Sequence, residues 1–152
     1  MADIVDLATR SRMMAGIRGK DTKPESLLRS SLHRAGFRYR LHVAGLPGRP
    51  DIVLVSRRVA IFVHGCFWHR HKGCHWCTTP ASNVEFWQNK FARNVERDKE
   101  AMQALADLGW RTAIVWECAL RKAYAVETVV EVDRWIRSDM PFFESALVRS
   151  DA

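Results

Sequence analysis

The stretch Phe62-Val-His-Gly-Cys-Phe-Trp-His-Arg-His-Lys-Gly-Cys-His-Trp-Cys77 constrains this chain more than any other. It holds three of the four cysteines, at 66, 74 and 77, and four of the six histidines, at 64, 69, 71 and 75. Thiolate and imidazole are the ligands zinc prefers, so a fold that gathers these groups either binds a metal or buries reduced thiols. Phe67, Trp68 and Trp76 lie among the same residues, beside Arg70 and Lys72. A loop that only holds zinc has no need of exposed rings beside cations. Rings with cations suit stacking on nucleic acid bases.

Charge points the same way. Lys and Arg number 24 against 17 acids, a net charge of +7 over 152 residues, which favours a polyanionic partner, nucleic acid first. The opening Met-Ala-Asp-Ile-Val-Asp lacks the basic and apolar regions of a signal peptide. The longest purely aliphatic and aromatic run, Val59 to Val63, is far short of a membrane span. A cytosolic chain is expected, and four cysteines there argue for metal rather than disulfides.

The length suits one domain, residues 1–152, with a basic arm at 1–20 and a loose tail from 140. Thr22-Lys-Pro-Glu25 has the form of a capping box, and Leu27, Leu28, Leu32 and Ala35 mark one face of the helix it opens, which Gly36 ends. Glu25 can be the capping carboxylate or an active-site group at the helix start. Phe37–Leu41 reads as a strand, and residues 51–63 as a hairpin. Ser82-Asn-Val-Glu85 forms a second capping box before a long helix ending at Gly109. Trp87, Lys90, Asn94 and Asp98 form one stripe of that helix, a ring, a cation, an amide and an acid in line. Residues 110–116 make another strand, and 126–136 a final helix. Strand, helix and strand make a crossover, so 59–64 and 111–116 should run parallel. Their C-terminal ends then share one edge, which brings Cys118 towards Cys66. With His71 and one of Cys74 or Cys77, these make a four-ligand zinc site.

Asp51 opens a buried strand whose hairpin partner ends at Val63-His64. An acid placed so can hold Mg2+ beside a phosphate, and histidines nearby can move protons near neutral pH.

Leu46-Pro-Gly-Arg-Pro-Asp51, Phe62-Val-His-Gly-Cys-Phe-Trp-His69, Glu85-Phe-Trp87, Asn94-Val-Glu-Arg-Asp98 and Val115-Trp-Glu-Cys118 together resemble the very short patch repair endonucleases of bacteria. The likeness runs from about residue 8 to 121. It implies a restriction-endonuclease-like fold, three layers of α/β with a mixed central sheet and a structural zinc. It also implies a Mg2+-dependent enzyme that nicks one strand of double-stranded DNA at the T:G mismatch left by deamination of 5-methylcytosine, starting repair. By the same resemblance Asp51 and the Val63 carbonyl hold Mg2+, His69 transfers a proton with Glu25 paired to it, and His64 lies close by. Cys66, His71, Cys74 and Cys118 match the zinc ligands. Phe67, Trp68 and Trp87 match rings that wedge into the duplex, and Met14, Lys90 and Asn94 match residues around the mismatched pair. Spacing to the third zinc ligand is one residue longer than the family's, and Cys77 is an additional thiol. A monomer in the cytoplasm, associated with the nucleoid and working with other repair proteins, is the expected setting. Two rival readings use the same features: a zinc-containing DNA-binding module without catalysis, and a general nuclease of the same fold.

Overall fold

The structure, a computed structural model, describes residues 22–146. Met14 and the basic arm lie outside them. Helix α1 (Lys23–Arg34) starts where the sequence predicts: the Thr22 hydroxyl accepts from the Glu25 N–H at 3.4 Å. The Glu25 carboxylate does not complete a capping box. It turns to a histidine on another element instead. Helix α1 ends in a Schellman turn, with Gly36 N–H donating to His33 and Phe37 N–H to Leu32. That bond uses the Phe37 donor, so β1 is only Arg40–Leu41, shorter than the 37–41 expected.

Strands β2 (Ile52–Leu54) and β3 (Val59–His64) form the expected hairpin around a 3-10 turn at Val55–Arg57. Helix α2 (Val84–Asp107) crosses back to β4 (Arg111–Trp116), which runs parallel to β3 with His64 opposite Trp116. The cap of α2 is Asn83, at φ 53°, with no side-chain capping bond. Ser82 stands one residue too early for that role, and asparagine tolerates the left-handed region better than most residues. Glu117–Leu120 is a 3-10 turn, and α3 (Ala125–Arg137) follows. The tail is not all loose: Phe142–Glu144 form β5, parallel to β4, and the mixed sheet has the order β1-β2-β3-β4-β5. Ser145 locks this edge, since its N–H donates to the Ile114 carbonyl and its hydroxyl accepts from the Trp116 N–H at 2.9 Å.

Alternation along β3 separates two faces. Val59 and Ile61 pack with Leu28, Leu32, Val132 and Ile136 of α1 and α3. Ala60 and Phe62 pack with Leu105 of α2. Helices thus cover both sides of the sheet, in three layers.

Gly48, in the loop before Asp51, shows how tightly α2 is seated. Its φ is +74°, and a Cβ there would stand 2.6 Å from the Ala101 Cβ. Gly36 also has a positive φ, +97°, but open space around it. Gly36→Ala should therefore cost only the backbone penalty of about 1–2 kcal/mol. Gly48→Ala should add an overpacking cost of about 1–3 kcal/mol. Equal losses in urea unfolding would show that the loop is not pressed onto α2.

Candidate active site and metal centre

A cleft of about 330 Å³ opens between the β2–β3 hairpin and α2, and Asp51, Val63, His64, His69 and Asp98 line it. Asp51 reaches it from the residue before β2. One carboxylate oxygen, Oδ2, accepts the Val63 N–H at 2.7 Å. Burial pushes the Asp51 carboxyl up to about 6; the Val63 N–H works against that rise, and the Glu25 carboxylate adds to it.

His64 ends β3 and is buried. Its ring stacks on His69, with centroids 3.8 Å apart and planes 4° from parallel. Burial first, and the His69 ring second, push the pKa of His64 down to about 3, so it is neutral at physiological pH. Its buried Nδ1 has no hydrogen-bond partner among the described residues. His69 is set by a tight turn, its N–H donating to the Gly65 carbonyl. The Nδ1 of His69 lies 2.7 Å from Asp98 Oδ2, and His64 Nε2 lies 4.0 Å from the other oxygen. A carboxylate on Nδ1 fixes the proton there, which leaves Nε2 as the nitrogen with a lone pair.

The expected partnership of Glu25 with His69 is not what forms. His69 is held by Asp98, while Glu25 Oε2 lies 2.9 Å from His42 Nε2 and 3.4 Å from Arg29. Distance along the fold is the reason: Glu25 rides on α1, on the face of the sheet opposite α2, and meets the end of β1 first. His42 belongs to no motif of the sequence, whereas Asp98 ends both the helical stripe and the Asn94-Val-Glu-Arg-Asp98 motif. The stripe itself was the usable signal for Asp98, since its other end reaches the aromatic loop.

Beyond β3 and β4 the chain gathers Cys66, His71, Cys74 and Cys118, all buried, with ligand atoms within 4.8 Å of one another. Cys118 Sγ is 3.4 Å from His71 Nδ1. Consecutive turns place the loop residues: Cys74 N–H donates to the His71 carbonyl, and Cys77 N–H to the Cys74 carbonyl. Cys77 is half-buried and stands outside the group. Burial pushes the Cys66 thiol up and the His71 imidazole down. Three thiols and a neutral imidazole, converging and shielded from water, fit a tetrahedral divalent ion such as zinc. Their shared wall is Trp116, which stacks on His71 at 4.1 Å and meets His64 edge-on at 5.3 Å.

The rings of the loop collect at the start of α2. Phe67 packs on Trp68 and Phe91, and Trp87 contacts Phe67 and Trp68. Trp87 is only 4% exposed, so it supports the other two rings rather than standing free beside them. Phe67 and Trp68 are half-buried. Asn94 Nδ2 donates to the Trp68 carbonyl at 3.2 Å, and Lys90 Nζ lies 6.0 Å from the Trp68 ring. Arg70 braces the far side of the loop, 4.0 Å over Phe91 and bonded to the Thr78 carbonyl. Phe86, 57% exposed, adds a ring that sequence reading passed over.

Residues 2–76 match the family described as DNA mismatch endonuclease Vsr. The DNA mismatch endonuclease Vsr of Escherichia coli is 50% identical over 121 residues, covering 80% of this chain and 77% of its own. The type II nicking enzyme V.XorIIP of Xanthomonas oryzae is 46% identical over 127 residues, 84% of this chain and 93% of its own. The type II nicking enzyme V.NmeAIP of Neisseria meningitidis is 41% identical over 138 residues, 90% and 98% of the two chains.

The cluster geometry separates the two neighbouring loop thiols. Cys74→Ala should lose the bound Zn2+ and lower the melting temperature, because metal binding is coupled to folding. Cys77→Ala should keep one Zn2+ per chain. Metal analysis of the purified variants tests this, and the reverse pattern would make Cys77 the ligand.

Proposed function

Because this chain belongs to the Vsr family of DNA mismatch endonucleases, and is on that ground a DNA endonuclease, we propose that it nicks one strand of double-stranded DNA at a T:G mismatch. The mismatch is the product of 5-methylcytosine deamination, and the nick begins its repair. One observation carries the reading: a half-buried carboxylate, Asp51, shares a cleft with two stacked imidazoles, next to a loop of rings and cations.

Mg2+ is the cofactor of this reading, held by Asp51 and the main-chain carbonyl of Val63; when bound, it supplies charge against the scissile phosphate and orients water. The protein groups divide the remaining work. His69, with Nδ1 fixed by Asp98, presents Nε2 to take the proton of the attacking water or return one to the leaving oxygen. His64 stays neutral and holds the His69 ring plane by stacking. Glu25 acts on the cleft through His42 and the Asp51 carboxylate. Zn2+ on Cys66, His71, Cys74 and Cys118 staples the loop that carries Phe67 and Trp68.

Mismatch recognition is the part of the loop. Opening a base step costs a few kcal/mol, and each ring–base stack returns about 1–3 kcal/mol. A mispair unstacks more easily than a normal pair, so inserted rings gain more there. Phe67 and Trp68 are the inserted rings, with Trp87 behind them and Lys90 and Asn94 beside them. Met14, outside the described residues, completes the contacts to the mismatched pair. The net charge of +7 holds the backbone phosphates. Among the described residues no helix is long and apolar enough to cross a membrane. A single domain, acting as a monomer on DNA in the cytoplasm and handing its nick to other repair proteins, completes the proposal.

Oligonucleotide duplexes with T:G, A:C and fully paired sites, with and without Mg2+, test the reading. T:G should be nicked on the T strand only when Mg2+ is present, and equal cleavage of paired DNA would make this a general nuclease. Asp51→Asn should remove nicking while mismatch binding persists, and activity within about tenfold of wild type would sink the assignment of Asp51. Trp68→Ala should weaken T:G binding by about 1–3 kcal/mol with little change in melting temperature. Trp116→Ala, a buried ring, should chiefly cost stability. A large stability loss for Trp68→Ala with unchanged affinity per folded molecule would remove the wedge.

A further inference from the structure

We propose that His42 is a direct metal ligand, so that His42 Nδ1 and Asp51 Oδ1 share one divalent cation with Glu25 orienting the imidazole from behind. This deepens the reading above and rests on its placement of the catalytic ion at Asp51. The added nitrogen donor gives the centre a preference for first-row transition ions, from Mn2+ upward, over Mg2+.

Three separate elements converge to make the group. Glu25 comes from the first turn of α1, His42 from the residue after β1, and Asp51 from the residue before β2. Their ligand atoms lie within 4.8 Å of one another. The β1–β2 register pairs Leu41 with Ile52, which leaves His42 across from Asp51, and the His42 N–H donates to the Asp51 carbonyl at 3.1 Å. His42 has a φ of 49°, in the left-handed region that non-glycine residues seldom occupy. Residues held in such conformations gather at functional sites, where the surrounding structure over-determines them.

The two ring nitrogens meet two different carboxylates. Nε2 lies 2.9 Å from Glu25 Oε2, close enough for an ion pair but without the alignment of a hydrogen bond, and the Glu25 side chain is only 3% exposed. Nδ1 lies 3.8 Å from Asp51 Oδ1, too far for a hydrogen bond. That spacing suits a shared ion, since two donors about 2.1 Å from one metal stand about 3–4 Å apart. The other Asp51 oxygen is occupied by the Val63 N–H, which turns Oδ1 towards His42. Nδ1 is the ring nitrogen that faces Asp51. A ligating histidine commonly has a carboxylate at its second ring nitrogen, and Glu25 is the carboxylate beside His42 Nε2. Glu25 is then a positioning residue.

Oxygen-only sites suit Mg2+, whereas imidazole favours the first-row transition series. Mn2+ is a useful probe because its unpaired electrons report a coordinated nitrogen, and the thiolate cluster, loaded with Zn2+ beforehand, competes little for it. The test is Mn2+ and Mg2+ titration of the full-length, Zn2+-loaded protein without DNA, with pulsed EPR of the Mn2+ form. Wild type should show an imidazole nitrogen coupling. His42→Gln should lose it, weaken Mn2+ by at least about tenfold and change Mg2+ by less than about threefold. His64→Gln and His69→Gln should keep the coupling, which identifies His42 by elimination even if its own variant does not fold. Absence of the coupling in wild type, its survival in His42→Gln, or equal weakening of both ions would overturn the proposal. If Asp51→Asn leaves Mn2+ binding intact, the ion is not at Asp51 and the underlying placement falls with it. If Asp51→Asn removes binding but no nitrogen is seen, only the role of His42 fails.

Discussion

The parallel register of β3 and β4, with His64 opposite Trp116, is the constraint on which both sites depend. Because the two strands end level, the residues that follow them leave the same edge of the sheet. Gly65-Cys66 and Glu117-Cys118 therefore emerge side by side, although 51 residues separate the two thiols. The crossover helix has to span the same distance in the opposite direction, which carries Asp98 back over the ends of the strands. A hairpin on the other side of β3 delivers Asp51 to the Val63 N–H. A slip of one residue between β3 and β4 would send His64 or Trp116 to the opposite face of the sheet and separate both clusters at once.

Burial sets the electrostatics of these clusters. It raises the carboxyl of Asp51, lowers the imidazole of His64 and raises the thiol of Cys66, each towards its uncharged form. Ligating groups held this way cost folding free energy, since the apolar sheet around them gains nothing from an ionised neighbour. A divalent cation reverses the balance, because its own charge is the largest in such a site. The core on the α1 and α3 face, built of Leu28, Leu32, Ile61, Val132 and Ile136, carries the stability that the polar end spends.

Most of the layer structure was legible in the sequence because its signals are periodic and local. The cap at Thr22, the run Val59–Val63, the long helix before Gly109 and the crossover all follow from spacing alone. Strand β5 was not legible. Phe142–Glu144 is too short to show a period, and it is fixed by the Trp116 main-chain N–H donating to the Ser145 hydroxyl and the Trp116 indole N–H donating to Glu144 Oε2. His42 was hidden for a related reason: it belongs to no motif, and only the β1–β2 register brings it beside Asp51. The family resemblance implies Glu25 as a partner of His69, yet its helix lies on the other face of the sheet, where it meets His42. The grouping of Cys74 rather than Cys77 with the other three side chains likewise depends on turn geometry, because successive turns bring one thiol into the group and leave the next outside it.

Trp116 has a consequence of its own. One face of its indole lies flat against the His71 imidazole, and it makes a T-shaped contact with the His64 ring. The ring thus touches both clusters at once. The thiol cluster and the histidine pair of the cleft share this one ring as a contact. The chain therefore cannot retune its loop without also tilting a histidine of its cleft, and changes tolerated in one are bounded by what the other will accept.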